Sequence, residues 1–174
     1  MAVAAGRQVV GYISNVSTKA GRDGVLYMFT VSTTGGEELV VRMRQPPEWA
    51  FVGSPVKGLA VKIDDHYQFQ DFSMAKDLQP ARFFEVDGLE ITYVKLGDHR
   101  HAIITGRSGS FIVSAPAIAP NVVNKGEKLK HKRCVLYIAD LPAERKVVAV
   151  QSITEFRRDT AMKRFLGMVG EDER

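Results

Sequence analysis

The feature that most constrains this chain is a period-two alternation of apolar and polar residues that recurs in short runs up to residue 153. Successive side chains of an extended strand point to opposite faces, so alternation of this kind marks strands with one face buried. Val9, Gly11 and Ile13 alternate with Val10, Tyr12 and Ser14, and a polar, glycine-containing stretch over 17–24 interrupts the run. Residues 25–31 resume it, Thr33-Thr34-Gly35-Gly36 signals a turn, and 38–44 form a third strand with Leu39, Val41 and Met43 on one face. Pro46-Pro47-Glu48-Trp49 cannot continue a paired strand, because proline has no amide proton to donate, and a loop or short helix is expected there. Residues 56–63 and 67–74 supply two further strands around an Asp64-Asp65 turn.

Three strands, a break and two more strands over residues 1–78 are the layout of a five-stranded Greek-key barrel, the OB-fold. Residues 79–87, with Gln79-Pro80-Ala81-Arg82, read as a linker. Residues 88–154 repeat the layout without a residue-level repeat. Strands at 89–96, 101–105 and 110–114 are joined by Gly97-Asp98 and Gly106-Arg107-Ser108-Gly109, and a proline-containing connection over 115–128 precedes strands at 134–139 and 146–153. Beyond Ile153 the period lengthens: Phe156, Met162, Phe165, Leu166 and Val169 fall near helical spacing among Arg157, Arg158, Lys163 and Arg164, with Gly170 as a stop. The expected fold is therefore mainly β, two tandem OB-fold-like five-stranded barrels plus a C-terminal α-helix, with 155–174 holding the helix and a short polar tail.

Charge and motifs narrow the function. Lys and Arg number 24 against 20 Asp and Glu, and the resulting net charge of +4 biases the chain mildly toward anionic partners. The lone Cys134 cannot form an internal disulfide, the N-terminus lacks the pattern of a secretory signal, and no run approaches the ~18 apolar residues of a membrane span. A cytoplasmic protein without membrane attachment is expected, and the Asn15-Val16-Ser17 glycosylation triplet is then accidental. His99 and His101 alternate on one strand beside Asp98, but this is too few ligands for a metal site. Asp64-Asp65-His66 reads as a turn, and there is no P-loop, nucleophile elbow or repeated acidic motif. No enzyme, metal or cofactor is expected.

Binding single strands requires aromatic faces for base stacking beside cations that follow the phosphates. With Leu39, Val41 and Met43 inward, Arg42 and Arg44 point outward, and Tyr12 does so when Ile13 is inward. On the second strand either Leu26 and Met28 or Tyr27 and Phe29 face the core, and the first choice gives an outer surface of Tyr12, Tyr27, Phe29, Arg42 and Arg44. Trp49 either joins that surface from the connection or plugs the barrel end. In the second half Lys125, Lys128, Lys130, Lys132 and Arg133 cluster around His131, as a solvated face or as a phosphate track that Lys95, Arg100 and Arg107 extend.

Gly11-Tyr12-Ile13, the aromatic strand Val25-Leu26-Tyr27-Met28-Phe29-Thr30-Val31 and the strand over 37–44 make the first half resemble OB-fold single-stranded-DNA-binding proteins, viral or plasmid-encoded members above all. Glu90-Ile91-Thr92-Tyr93-Val94-Lys95, His101-Ala102-Ile103-Ile104-Thr105, Gly109-Ser110-Phe111-Ile112-Val113 and Gly126-Glu127-Lys128-Leu129 look like the strand order of a cold-shock domain. The stretch matching that family's aromatic second strand reads His99-Arg100-His101-Ala102-Ile103, and Phe111 alone keeps the third-strand motif. The resemblance implies a binder of single-stranded DNA in replication, recombination or repair. An RNA-binding regulator and a protein-binding β-barrel adaptor or virion protein are the alternatives. A lone helix of this length is marginal in water, so the C-terminal helix is expected to dock within the chain or across a homo-oligomer interface.

Overall fold

The computed structural model describes residues 6–63 and 66–167. Strands β1 (Arg7–Gly21), β2 (Gly24–Thr33), β3 (Glu38–Met43), β4 (Pro55–Ile63) and β5 (His66–Met74) close a barrel in the order β1-β2-β3-β5-β4. β1 pairs back onto β4, and β3 meets β5 in parallel, which is the OB arrangement. β1 runs through the break expected over 17–24. Its polar half is exposed yet laddered to β2 down to Gly21, so backbone pairing rather than burial holds it extended. Gly11 allows the two strands to close, since a Cβ there would lie 2.4 Å from the Ser32 carbonyl oxygen. The Asp64-Asp65 turn falls outside the described residues.

The second half holds β6 (Arg82–Val86), β7 (Glu90–Leu96), β8 (His99–Gly106), β9 (Gly109–Ser114), α1 (Pro120–Lys128), β10 (Cys134–Asp140) and β11 (Arg145–Ser152). They form two three-stranded sheets, β11-β10-β6 and β7-β8-β9. Around the barrel, β6 and β7 are two halves of one OB first strand: β6 pairs with β10, β7 with β8, and Ile118 bridges Val147 in parallel where third and fifth strands would meet. The strand breaks at Gly88, whose φ of +76° suits glycine, and the Gly88 and Leu89 amides donate to the Lys132 carbonyl at 3.2 and 3.1 Å. The linker expected over 79–87 is corrected accordingly. Pro80 ends the preceding segment, but residues 82–86 pair with β10 and belong to the second barrel. The connection over 115–128 is a 3-10 turn (Ala115–Ala117) followed by α1, each with proline in its first turn, where the missing amide costs no hydrogen bond.

The barrels share a core. Cys134, Leu136, Ile138, Val147 and Val150 pack inside the second barrel, whereas Val135, Tyr137, Ala139, Val148 and Ala149 pack with Tyr12, Phe29, Val31 and Val52 of the first. A bulge places Val148 between the partners of Tyr137 and Ile138 and resets the alternation of β11. Polar contacts line the seam. Lys146, 3% exposed, donates from Nζ to the Thr33 carbonyl at 2.9 Å, and burial lowers its pKa. The Asn121 backbone amide donates to the Glu38 carboxylate, and its side chain donates to the Ser14 carbonyl at 3.3 Å.

Helix α2 (Ile153–Phe165) starts before Phe156 because Ser152 and Glu155 form a reciprocal capping box, each accepting from the other's backbone amide at 3.2 Å. Ile153 and Phe156 pack on the shared core, and the Phe156 ring lies 5.2 Å from that of Phe83 on β6. The helix therefore docks within the chain at its N-terminal end. Gly167, at φ +71°, follows its last turn, and Val169, Gly170 and the polar tail lie outside the described residues. No helix among the described residues is long and apolar enough to cross a membrane.

A shared core requires the barrels to unfold together. Calorimetry is expected to give one transition, and Cys134, fully buried with its thiol pKa pushed up to about 11 by burial, should react with a thiol reagent only across that transition. Two resolved transitions, or labelling of the native chain, would contradict the shared core.

Candidate nucleic-acid interface

In the first barrel the aromatic side chains are committed to packing. Tyr12 points away from Ile13, as alternation requires, but the second half covers that face: Tyr12 is 2% exposed and its hydroxyl donates to the Gln79 carbonyl at 2.8 Å. Phe29 is a core residue, and half-buried Tyr27 stacks on it at 6.4 Å. The expectation that both tyrosines and Phe29 form an outer stacking surface is thereby corrected, because Tyr27 and Phe29 rather than Leu26 and Met28 take the inward side of β2. Trp49 stacks on Phe72 at 5.5 Å and packs against the core as a plug, its backbone held by the Ser54 hydroxyl at 2.9 Å. Arg42, on β3, and Arg44, one residue beyond its end, alternate with Val41 and Met43. Arg44 is exposed, while Arg42 is half-buried, with its Nε buried and unpartnered among the described residues. The outer face of β2 and β3 thus carries cations without aromatic faces.

The second barrel supplies what the first lacks. The two-residue turn at Gly97-Asp98 fixes the register of β7 and β8, setting Lys95 opposite Arg100 and Tyr93 opposite Ala102. Arg100 therefore sits diagonally from Tyr93, and its guanidinium lies 4.1 Å above the ring, while Tyr93 stays 38% exposed. Tyr93, Lys95 and Arg100 line one shallow recess with Asp98, and Tyr93 lines another with Val123, Glu127 and Lys130 of the α1 region, so cations outnumber carboxylates two to one in the first and equal them in the second. Tyr93 is the residue that the motif reading passed over. Its signal was present in the hairpin, since a two-residue turn with Lys95 and Arg100 at matching offsets dictates which strand neighbours meet.

Carboxylates divide the basic residues into paired and unpaired sets. Arg133 forms a fork with Glu85 at 2.7–2.9 Å, Arg107 meets Asp87 at 3.3 Å, and Lys125 is held by Glu155 at 2.6 Å and Asn15 at 3.3 Å. Lys125 is thereby removed from the expected track. Lys95, Lys128, Lys130 and Lys132 are exposed, and among the described residues none has a carboxylate partner. Lys128 also lies in the last turn of α1, where a cation complements the helix dipole. Phe111, half-buried, meets Phe84 edge-on at 5.8 Å.

A larger cleft of about 550 Å³ lies between the first barrel and α2, but Glu48, Glu155 and Asp159 line it against the single Arg158, a poor setting for phosphates. Among the described residues no group of three or more His, Cys, Asp or Glu is placed to hold a metal ion.

No protein-family model matches the chain, and no curated protein matches it. Among solved structures it is similar to the tetrameric p202 HIN2, at 11% identity over 83% of this chain and 87% of that one with a TM-score of 0.31. It is likewise similar to a murine DNA binding protein bound with ds DNA, at 9% identity over 84% and 99% with a TM-score of 0.30. Superpositions this loose transfer nothing to this chain, and the OB assignment rests on the strand pairing.

The Lys125–Glu155 pair couples α1 to α2 and gives the interface a pH dependence. Burial pushes the Glu155 carboxyl up, but the Lys125 hydrogen bond and charge, with the Ser152 cap, outweigh it and hold the pKa below its ordinary value. A carboxyl depressed by folding adds stability above the unfolded pKa of about 4.3, and that stability is lost as pH falls through the lower folded value. Melting temperature should decline in that acidic window, and less steeply in Glu155→Gln. An identical decline in the variant would remove the pair from the account.

Proposed function

We propose that this chain binds single-stranded nucleic acid, with single-stranded DNA the favoured ligand, through the second barrel, and performs no catalysis. The observation that carries this reading is the exposed Tyr93 ring under the Arg100 guanidinium, flanked by Lys95 and Lys130. An accessible ring offers a stacking face only to an unpaired base, and the unpaired lysines of 128–132 are suited to following its phosphates. In this reading the protein is cytoplasmic and covers strands exposed during replication, recombination or repair. α2 supports a second element, contact with another copy: Phe165 is 85% exposed and Met162 49% exposed.

Fluorescence polarisation against matched single-stranded DNA, single-stranded RNA and duplex DNA tests the reading. Single strands should bind with a log–log salt slope of about −0.7 per phosphate neutralised. Tyr93→Ala should cost about 1–3 kcal/mol of affinity, the scale of one lost stacking partner, whereas Arg42→Ala with Arg44→Ala should change it little. Equal, negligible binding to all three ligands, or a larger loss from the β3 arginines than from Tyr93, would sink it. Tighter binding to RNA would shift the ligand to RNA, since the 2′-hydroxyl is what a protein uses to tell the two apart. Light scattering over a concentration series should show self-association that Phe165→Ser abolishes, and a monomeric wild type would remove the homo-oligomer.

A further inference from the structure

We infer that the gap between β6 and the β8–β9 hairpin is a pocket for one unstacked nucleobase of a bound single strand, at the far end of a path that begins at Tyr93. The inference rests on the nucleic-acid reading above and names a second contact within it. The gap lies where the first strand of this barrel is broken at Asp87-Gly88-Leu89: β6 ladders with β10 and β7 with β8, so β6 has no ladder to β8, and the Arg107 amide donating to the Asp87 carbonyl at 2.9 Å ties it to the β8–β9 turn. Its volume is about 190 Å³, several times the roughly 30 Å³ share of one water molecule and enough for a planar heterocycle.

The lining is unlike a sealed core. Phe84 faces inward opposite Leu136 yet is 36% exposed, and it lines the opening with half-buried Phe111, the two rings meeting edge to face at 5.8 Å. Ser108 and Ser110 line it too, and their hydroxyls have no partner among the described residues. Glu85 and Asp87 stand at the rim, fixed by Arg133 and Arg107. Aromatic rings, unused hydroxyls and held carboxylates are what a base requires, and the carboxylates only accept, so a base with an exocyclic amine is preferred and cytosine is favoured over thymine.

The path is continuous in the chain. Lys130 lies beside Tyr93, the Lys132 carbonyl holds the broken strand at Gly88 and Leu89, and Arg133 and Arg107 flank the opening. A strand stacked on Tyr93 can therefore follow these cations around the barrel and deliver a base into the gap.

The test uses the full chain and fluorescence polarisation with labelled oligomers of about 10–16 nucleotides, within the site-size range of OB barrels. The strands are oligo-dC, oligo-dT and a backbone of abasic residues. Wild type should bind oligo-dC more tightly than oligo-dT. Ser110→Trp, which fills the opening from an exposed position, and Phe84→Leu should each weaken oligo-dC by about tenfold, the effect of one stacked base, and erase the preference. Both should leave the abasic strand unchanged, with melting temperature confirming the fold. If both bind oligo-dC as wild type does while Tyr93→Ala is weakened, the pocket is overturned and the nucleic-acid reading survives. Equal loss on all three strands also overturns it, since the contact is then to backbone. If wild type binds none of the strands, both the pocket and the reading fall.

Discussion

β10 and β11 are enclosed on both faces, and the placement of the other elements depends on that constraint. One face fills the second barrel through Leu136, Ile138 and Val150, and the other meets the first barrel through Val135, Tyr137 and Val148. A strand pair buried on both sides carries near-continuous apolar sequence, as in Cys134-Val135-Leu136-Tyr137-Ile138-Ala139 and Val147-Val148-Ala149-Val150. Buried side chains also fix orientation, because close-packed interfaces do not slide without losing contacts. The barrels are consequently one body, and the Lys146 contact to Thr33 adds a directional polar tie.

That docking decides which aromatic residues remain available. Covering the outer side of β1 buries Tyr12, and the first barrel uses Phe29, Phe69, Phe72 and Trp49 to fill its own interior. Small barrels need such rings, since each buries a large area for modest entropy loss. The hairpin of β7 and β8 extends past its own core, so Tyr93 lies on the inward-facing side of the sheet with Lys95 and Arg100 but retains solvent contact. The same residue type thus packs in one barrel and is presented in the other, and its place along the strand determines which.

Electrostatics follow a similar division. Forks such as Arg133 with Glu85 and Arg82 with Asp140 tie elements together at exposed sites, where each contributes little to stability but fixes a side chain. Lys125 and Glu155 are more enclosed and join helices that lie far apart in sequence. Lys128, Lys130 and Lys132 are exposed without a carboxylate partner among the described residues, and Lys130 shares a recess with Tyr93 and Glu127. Local arrangement, not the overall charge, decides which cations are left facing solvent.

The sequence by itself determined most of the strands, the OB layout of the first barrel, the inward set of β3 and the helical switch near residue 153, because these depend on local periodicity and turn chemistry. It marked the Gly97-Asp98 turn but started the following strand at His101, whereas β8 begins at His99, so the β7–β8 register came from the structure. Only the tertiary structure decided that residues 82–86 form a strand, since a short segment is specified by its partner β10 more than by its own five residues. It alone decided that Tyr12 is buried, because alternation reports the face a side chain takes and not what covers that face. Nor could spacing distinguish Lys125, bound to Glu155 some thirty positions away, from Lys128, which meets solvent. Such pairings depend on contacts between residues distant in sequence, which follow from packing two barrels around one shared core.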